Sequence, residues 1–297
     1  MDDSFDLEKW RKESPMDYIL AMNLIKNSSY KDVVFHTIYR ITRLYVPDVL
    51  YKFFALTDNI ELNEQKILTL ERQQIFMSDI KDMNDPFDNK AFFYRPDRLI
   101  KFPSLINCGG RIIDDFSNYI KGSAFTANDF NSMPMWAHYA SNHRGFCISY
   151  DLKDKDNVGL AGCVFPVQYS SLRIDVTDIM EQQMEMMEYE IEKQMSEGKK
   201  QIRISDLTIV YMASFLCNIK HESWKYENEF RCTTGAIAKG MPYFPAKPKR
   251  MYIGMNCSRT YKERLVRVAH SLQIPVYKMK VHEFSLDFNL SYEELSM

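Results

Sequence analysis

Glycine is scarce, with ten among 297 residues, which argues against collagenous, glycine-looped or Rossmann-type chains. No apolar run approaches the roughly 20 residues that a membrane-spanning helix needs. The six cysteines (Cys108, Cys147, Cys163, Cys217, Cys232, Cys257) are scattered and form no C-x-x-C pair. Neither a disulfide framework nor a zinc site is therefore expected, and the site carries no metal on this reading. The opening Met1-Asp2-Asp3-Ser4-Phe5-Asp6 is acidic and lacks the basic-then-apolar order of a signal peptide. These absences leave a soluble, cytoplasmic protein with no membrane partner as the expectation. What is present, 45% hydrophobic and 26% charged residues, suffices for a full core.

The formal net charge of -2 hides a polarity. Residues 1–198 hold 22 Lys+Arg against 31 Asp+Glu, residues 199–280 hold 16 against 5, and residues 281–297 hold none against 4. A basic stretch of that kind attracts a phosphate-bearing ligand, or packs against the acidic portion.

Ser14-Pro15-Met16-Asp17 carries helix-start signals and predicts a helix to about Asn27. A second helix from Lys31, with Val34, Ile38, Ile41 and Tyr45 on one stripe, must stop before Pro47. Residues 1–48 thus form an N-terminal helical extension to a single domain over 49–297. Strands are expected at 49–54, 75–78, 123–126, 145–150, 164–169, 226–233, 250–255 and 276–281. Helices are expected at 63–73, near 134–140, at 206–218 and at 258–272. A long helix from Thr177 to Ser196 places Met180, Met184, Met187, Ile191 and Met195 along one side, as core or as the face for a protein partner or a second copy. Helices and strands mix without βαβ alternation, so the fold class is α+β, with a mixed, mainly antiparallel sheet.

Three clusters carry chemistry. Asp82-Met83-Asn84-Asp85-Pro86-Phe87-Asp88 reads as a rigid turn, or as a pocket edge presenting Asn84 and Asp88 with Phe87 in the core. In Pro134 to Gly145, Trp136, Tyr139 and His143 fall near one helical face and His138 elsewhere. Such rings stack on a planar ligand, or are simply buried. The third cluster is Lys220 to Arg231. If 226–232 is a strand, Glu227, Glu229 and Arg231 share one face. That face is solvated, or a structural ion pair, or a cleft in which Arg231 holds one carboxylate and frees the other as a base.

In this order, Leu50-Tyr51-Lys52-Phe53-Phe54, Ile75 to Ser78 with Asn84-Asp85-Pro86-Phe87-Asp88, Trp136-Ala137-His138-Tyr139 with Gly145 to Tyr150, and Trp224-x-x-Glu227-x-Glu229-x-Arg231 resemble the bacterial domain-of-unknown-function family numbered 2971. The resemblance runs from about Val49 to Val281, with the Met-rich helix near 177–197 as an insertion. More distantly, the order of Tyr51-Lys52, an aromatic middle segment and a late Glu-x-Glu is similar to ADP-ribosyltransferases. That likeness implies NAD as a substrate. Glu229 would bind the ribose and stabilise an oxocarbenium-like transition state, and Glu227 would orient or deprotonate the acceptor. Lys52 would face the pyrophosphate, and Trp136 or Tyr139 would stack near the nicotinamide. The first position here is Tyr51-Lys52 rather than His or Arg, and Ser123 to Thr126 stands only loosely for the Ser-Thr-Ser middle motif.

Three functions stay open: a nucleotide-using transferase with Glu229 and Glu227 catalytic; a nucleotide or nucleic-acid hydrolase using Asp85, Asp88, Glu227 and Glu229; and a non-catalytic binding or sensor protein in stress or phage defence. In the first, Lys52, Asn84, Asp88, Trp136, His138, Tyr139 and Arg231 bind a small-molecule nucleotide.

Overall fold

Alternating aromatic and aliphatic bulk over Val49–Phe54 makes β1, and both its faces are covered. The computed structural model describes residues 5–83, 85–88, 90–112, 120–203, 214–235 and 242–295. Its helices are α1 (Leu7–Glu13), α2 (Tyr18–Asn27), α3 (Lys31–Arg43), α4 (Ile60–Glu71), α5 (Pro96–Leu99), α6 (Met133–Tyr139), α7 (Val158–Cys163), α8 (Thr177–Ser196) and α9 (Arg259–Leu272). After β1 come β2 (Gln74–Phe76), β3 (Ser78–Asp79), β4 (Phe92–Phe93), β5 (Ile120–Thr126), β6 (Phe146–Asp151), β7 (Val164–Pro166), β8 (Gln168–Ser170) and β9 (Ile174–Asp175). The last six are β10 (Ile219–His221), β11 (Glu229–Gly235), β12 (Tyr243–Pro245), β13 (Arg250–Ile253), β14 (Val276–Val281) and β15 (Leu290–Glu294).

The main sheet runs β15-β14-β13-β6-β1-β5-β11-β7, with β3 added on β5. Every pairing in it is antiparallel except β13 with β14, where α9 supplies the crossover that a parallel pair requires. The α+β class with a mixed, mainly antiparallel sheet is therefore observed. Strand alternation sorts the core. Leu50, Phe146, Ile148, Met251 and Ile253 meet Ile67 and Leu70 of α4 and Leu265, Val268 and Ala269 of α9. The alternate residues Phe53, Cys147 and Tyr252 face Met135 and Trp136 of α6. A second core joins Tyr18, Met22 and Ile25 of α2 and Ile38 of α3 to Ile179, Met180 and Met184 of α8 and Phe215. No helix among the described residues is long and apolar enough to cross a membrane.

Several boundaries differ from expectation. The helix expected from Ser14 starts at Tyr18, because the Asp17 carboxylate accepts from both Ile19 N and Leu20 N at 3.0 Å; Ser14 instead closes the short α1. The run 164–169 divides in two. β7 pairs with β11, whereas β8 leaves to pair in parallel with β10. The Met stripe of α8 is buried only at Met180 and Met184, and Met195 is exposed. Most of the helix expected at 206–218 lies outside the described residues. The strand expected from Tyr226 begins only at Glu229, and this last difference shapes the site.

Candidate functional site

β1 and β5 meet at one register pair, Tyr51 opposite Thr126, while β5 continues along β11 from Glu229 opposite Thr126 to Gly235 opposite Ile120. The sheet parts there, and a hollow of about 140 Å³ occupies the gap. Tyr51, Lys52 and Phe53 form one wall, Ala124 to Thr126 another, and Tyr139, Lys220, Glu227 and Glu229 converge on it.

The two glutamates arrive by different routes. Glu227 ends a 3-10 helix spanning Glu222–Glu227, and Asn228 follows in the left-handed region at φ 45°. Glu229 is then the first residue of β11. A continuous strand was expected to put both acids on one face by alternation. The left-handed Asn228 does so instead, a conformation asparagine tolerates better than most residues. Ala127 N donates to Asn228 O at 3.0 Å, which holds the turn against the end of β5.

From there a chain of charges runs inward. Lys220 Nζ donates to Glu227 Oε2 at 2.7 Å and to Glu229 Oε2 at 3.0 Å. Arg231 Nε donates to Glu229 Oε1 at 2.7 Å, and its Nη2 to Asp88 Oδ1 at 2.6 Å. Arg231 Nη1 donates to Cys217 O at 2.7 Å, and Tyr139 Oη donates to Glu227 Oε1 at the outer end. Asp88, Lys220, Glu227, Glu229 and Arg231 are all buried, so the solvated-face reading of this cluster is overturned. Its ions are paired because an unpaired charge in this setting is far more costly.

Three carboxyl groups and two cations meet in this cluster among the described residues, and burial and the opposing charges act on each group in different proportion. Glu227 is raised above the usual glutamate value by burial, only partly offset by its bonds from Lys220 and Tyr139. Burial also pushes on Glu229, but Arg231 and Lys220 outweigh it and hold that carboxyl down at about 2. Asp88 is raised, again by burial, against the opposing charge of Arg231. Lys220 is raised: burial works against its charge, but Glu229, Asp88 and Glu227 overcome it. Lys52 differs. Its ammonium rests on neutral acceptors, Ser123 Oγ at 2.9 Å and Ala124 O at 2.8 Å, and burial drives it down to about 8.

Of the residues singled out in the sequence, Lys52, Tyr139, Glu227 and Glu229 line the hollow, with Arg231 and Asp88 behind them. Asn84 lies outside the described residues. Trp136 does not reach the hollow. It is wholly buried, donates from Nε1 to Phe130 O at 2.7 Å and lies edge-on to Phe53, so its ring is core rather than a stacking platform. His138 is exposed on the outer side, with Nδ1 2.9 Å from Tyr226 Oη. Phe87, expected in the core, is 51% exposed, since the bend turns Asp85 and Asp88 inward instead. The pivotal residue that the sequence reading named at the head of the third cluster but gave no role is Lys220. Its signal was a lone lysine beside apolar Ile219, seven and nine residues before the two acids it joins.

Residues 135–232 match the model of the family described as "Protein of unknown function (DUF2971)". That span holds most of α6, with Lys220, Glu227, Glu229 and Arg231, so the family resemblance read from the sequence holds over the segment that supplies most of the charge chain. No curated protein and no solved structure matches the chain.

Proposed function

We propose that the hollow between β1 and β5 is an acid–base active site that breaks a glycosidic bond between a ribose-like sugar and a heterocyclic leaving group, the chemistry by which ADP-ribose is transferred from NAD. One observation carries this reading. Two carboxyl groups share the Lys220 ammonium, yet their titrations are driven apart, Glu229 down to about 2 and Glu227 upward. Such separation assigns one group a fixed negative charge and the other a movable proton.

In this reading the bond from the anomeric carbon to the ring nitrogen breaks, and its electron pair leaves with the heterocycle. A cationic nicotinamide departs neutral and needs no proton. Glu229 stabilises the positive charge that develops on the sugar. An acceptor hydroxyl bonds to the anomeric carbon, and its proton passes to Glu227. Tyr139, bonded to Glu227, also walls the neighbouring outer cleft with His138, Trp224 and Tyr226, and so connects the base to the surface. Lys52 spends two of its three N–H donors on Ser123 and Ala124 and keeps one for a phosphate oxygen. At about 140 Å³ the hollow takes one ring, and the rest of a nucleotide would extend into the outer cleft.

The test is chromatographic measurement of nicotinamide released from NAD, extended to a panel of nucleosides. The reading predicts release by the unaltered protein and a loss of about 100-fold or more in Glu229→Gln and Glu227→Gln. Intact substrates throughout, or undiminished release by Glu229→Gln, would contradict it. The saturation of both Glu229 oxygens by Arg231 and Lys220 favours a second reading, ligand binding without turnover. Binding of NAD without product identifies that case.

A further inference from the structure

A second hollow of about 460 Å³ lies between the Asp85–Phe87 bend and Trp224. Its walls are largely apolar: Pro86, Phe87, Leu172, Ile219 and Trp224. Phe87 and Leu172 stand at 51% and 78% exposure, large side chains left open to solvent beside a concave surface. The Trp224 ring is half-buried and carries the Lys220 ammonium 4.6 Å from its centroid.

Asp85 is the one acid on this lining among the described residues, and it is only 4% exposed. Its Oδ1 accepts from Phe87 N at 2.9 Å, which fixes the bend. Its Oδ2 is buried and has no hydrogen-bond partner among the described residues. A buried carboxylate oxygen left bare is costly, and a ligand N–H that meets it recovers that cost. Arg173 and Lys220 also line the hollow, so a cationic ligand would meet like charge, whereas a neutral donor would not. A flat ring, apolar on its faces and carrying a neutral N–H donor on its edge, satisfies each of these features.

We infer that this hollow is a binding position for a nucleobase bearing an exocyclic amino group, with Asp85 Oδ2 accepting from that amine and Trp224 and Phe87 flanking the ring. The size suits a nucleoside, within the volumes usual for small-ligand sites. The inference goes beyond the glycosidic reading and does not depend on it, because it concerns binding alone.

Calorimetric titration with adenosine and with purine riboside tests it, in the unaltered protein and in Glu227→Gln, where turnover plays no part. The two probes differ at one ring position, an amino group in adenosine and a hydrogen in purine riboside, and N1 is an acceptor in both. Adenosine should bind about tenfold or more tightly than purine riboside in both proteins. Asp85→Asn keeps an oxygen for Phe87 N and replaces the bare acceptor with a donor, so adenosine should lose its advantage. Trp224→Ala, on a half-exposed ring, should weaken adenosine about tenfold. Equal affinities for the two nucleosides in the unaltered protein would overturn the inference, as would an undiminished advantage in folded Asp85→Asn. Should that variant not fold, adenosine binding undiminished in Trp224→Ala would overturn it instead.

Discussion

Arg231 Nη2 closes on Asp88 Oδ1 at 2.6 Å across 143 residues of chain, and neither side chain sees solvent. The same guanidinium holds Glu229, so one cation ties the Asp85–Asp88 bend, β11 and the carbonyl of Cys217 together. Replacing it takes the guanidinium from buried Asp88 and leaves Glu229 with Lys220 alone. Arg231→Met is expected to cost about 3–5 kcal/mol, the range for breaking a buried ion pair by removing one member. Chemical denaturation checks this, and a shift under about 1 kcal/mol would show that the pair contributes little.

The pH dependence of stability has opposite signs at the two glutamates. Glu229 is held down at about 2 by Arg231 and Lys220 against burial, so the unfolded chain binds more protons there between about 2 and 4.5. Its stabilisation is present above 4.5 and is lost as pH falls through that window. Glu227 is raised by burial, so the folded protein binds the extra proton above 4.5, and its share of stability declines as pH rises toward the folded value. Melting temperatures from pH 2 to 7 should show a shallower acid-side loss in Glu229→Gln than in the unaltered protein. A steeper loss would reverse the assignment.

Asn228 sets both glutamates from one backbone position. Asn228→Gly should retain stability to within a few tenths of a kcal/mol, whereas Asn228→Val, β-branched in the left-handed region, should lose about 1–3 kcal/mol. Thermal unfolding of the pair checks this. Equal stability of the two variants would mean that the turn relaxes freely.

Tyr139→Phe removes the hydroxyl that donates to Glu227, a bond that favours the ionised carboxylate. Glu227 should then rise further, and the acid limb of any pH–rate profile should move to higher pH. A limb that stays in place would show that Glu227 does not govern it.

Much of this arrangement was legible from local pattern. The strand Val49–Phe54, the helix Thr177–Ser196 and the strand Val276–Val281 fall where their periodicities place them. Competition between signals hid the rest. Asp17 outbids Ser14 as a cap because two backbone amides reach its carboxylate. Two-residue strands such as Phe92–Phe93 depend on a partner, here Ile174–Asp175, that no local window contains. At the site, residue types were readable but directions were not. Glu227 and Glu229 look like two positions of one strand, and only the left-handed Asn228 shows that they belong to different elements. Trp136 looks like a ligand platform in an aromatic segment, yet Phe130 O and Phe53 claim it for the core. Lys220 gains its meaning only in space, where one ammonium meets both acids.

The central claim, that the Lys220-bridged glutamates are driven apart, is tested most directly by carboxyl carbon-13 NMR titration of glutamate-labelled protein, assigned with Glu227→Gln and Glu229→Gln. The account predicts one resonance still moving above pH 4.5 and lost in Glu227→Gln, with a second unmoved until pH nears 2 and lost in Glu229→Gln. Two resonances titrating together near the ordinary glutamate value would contradict it.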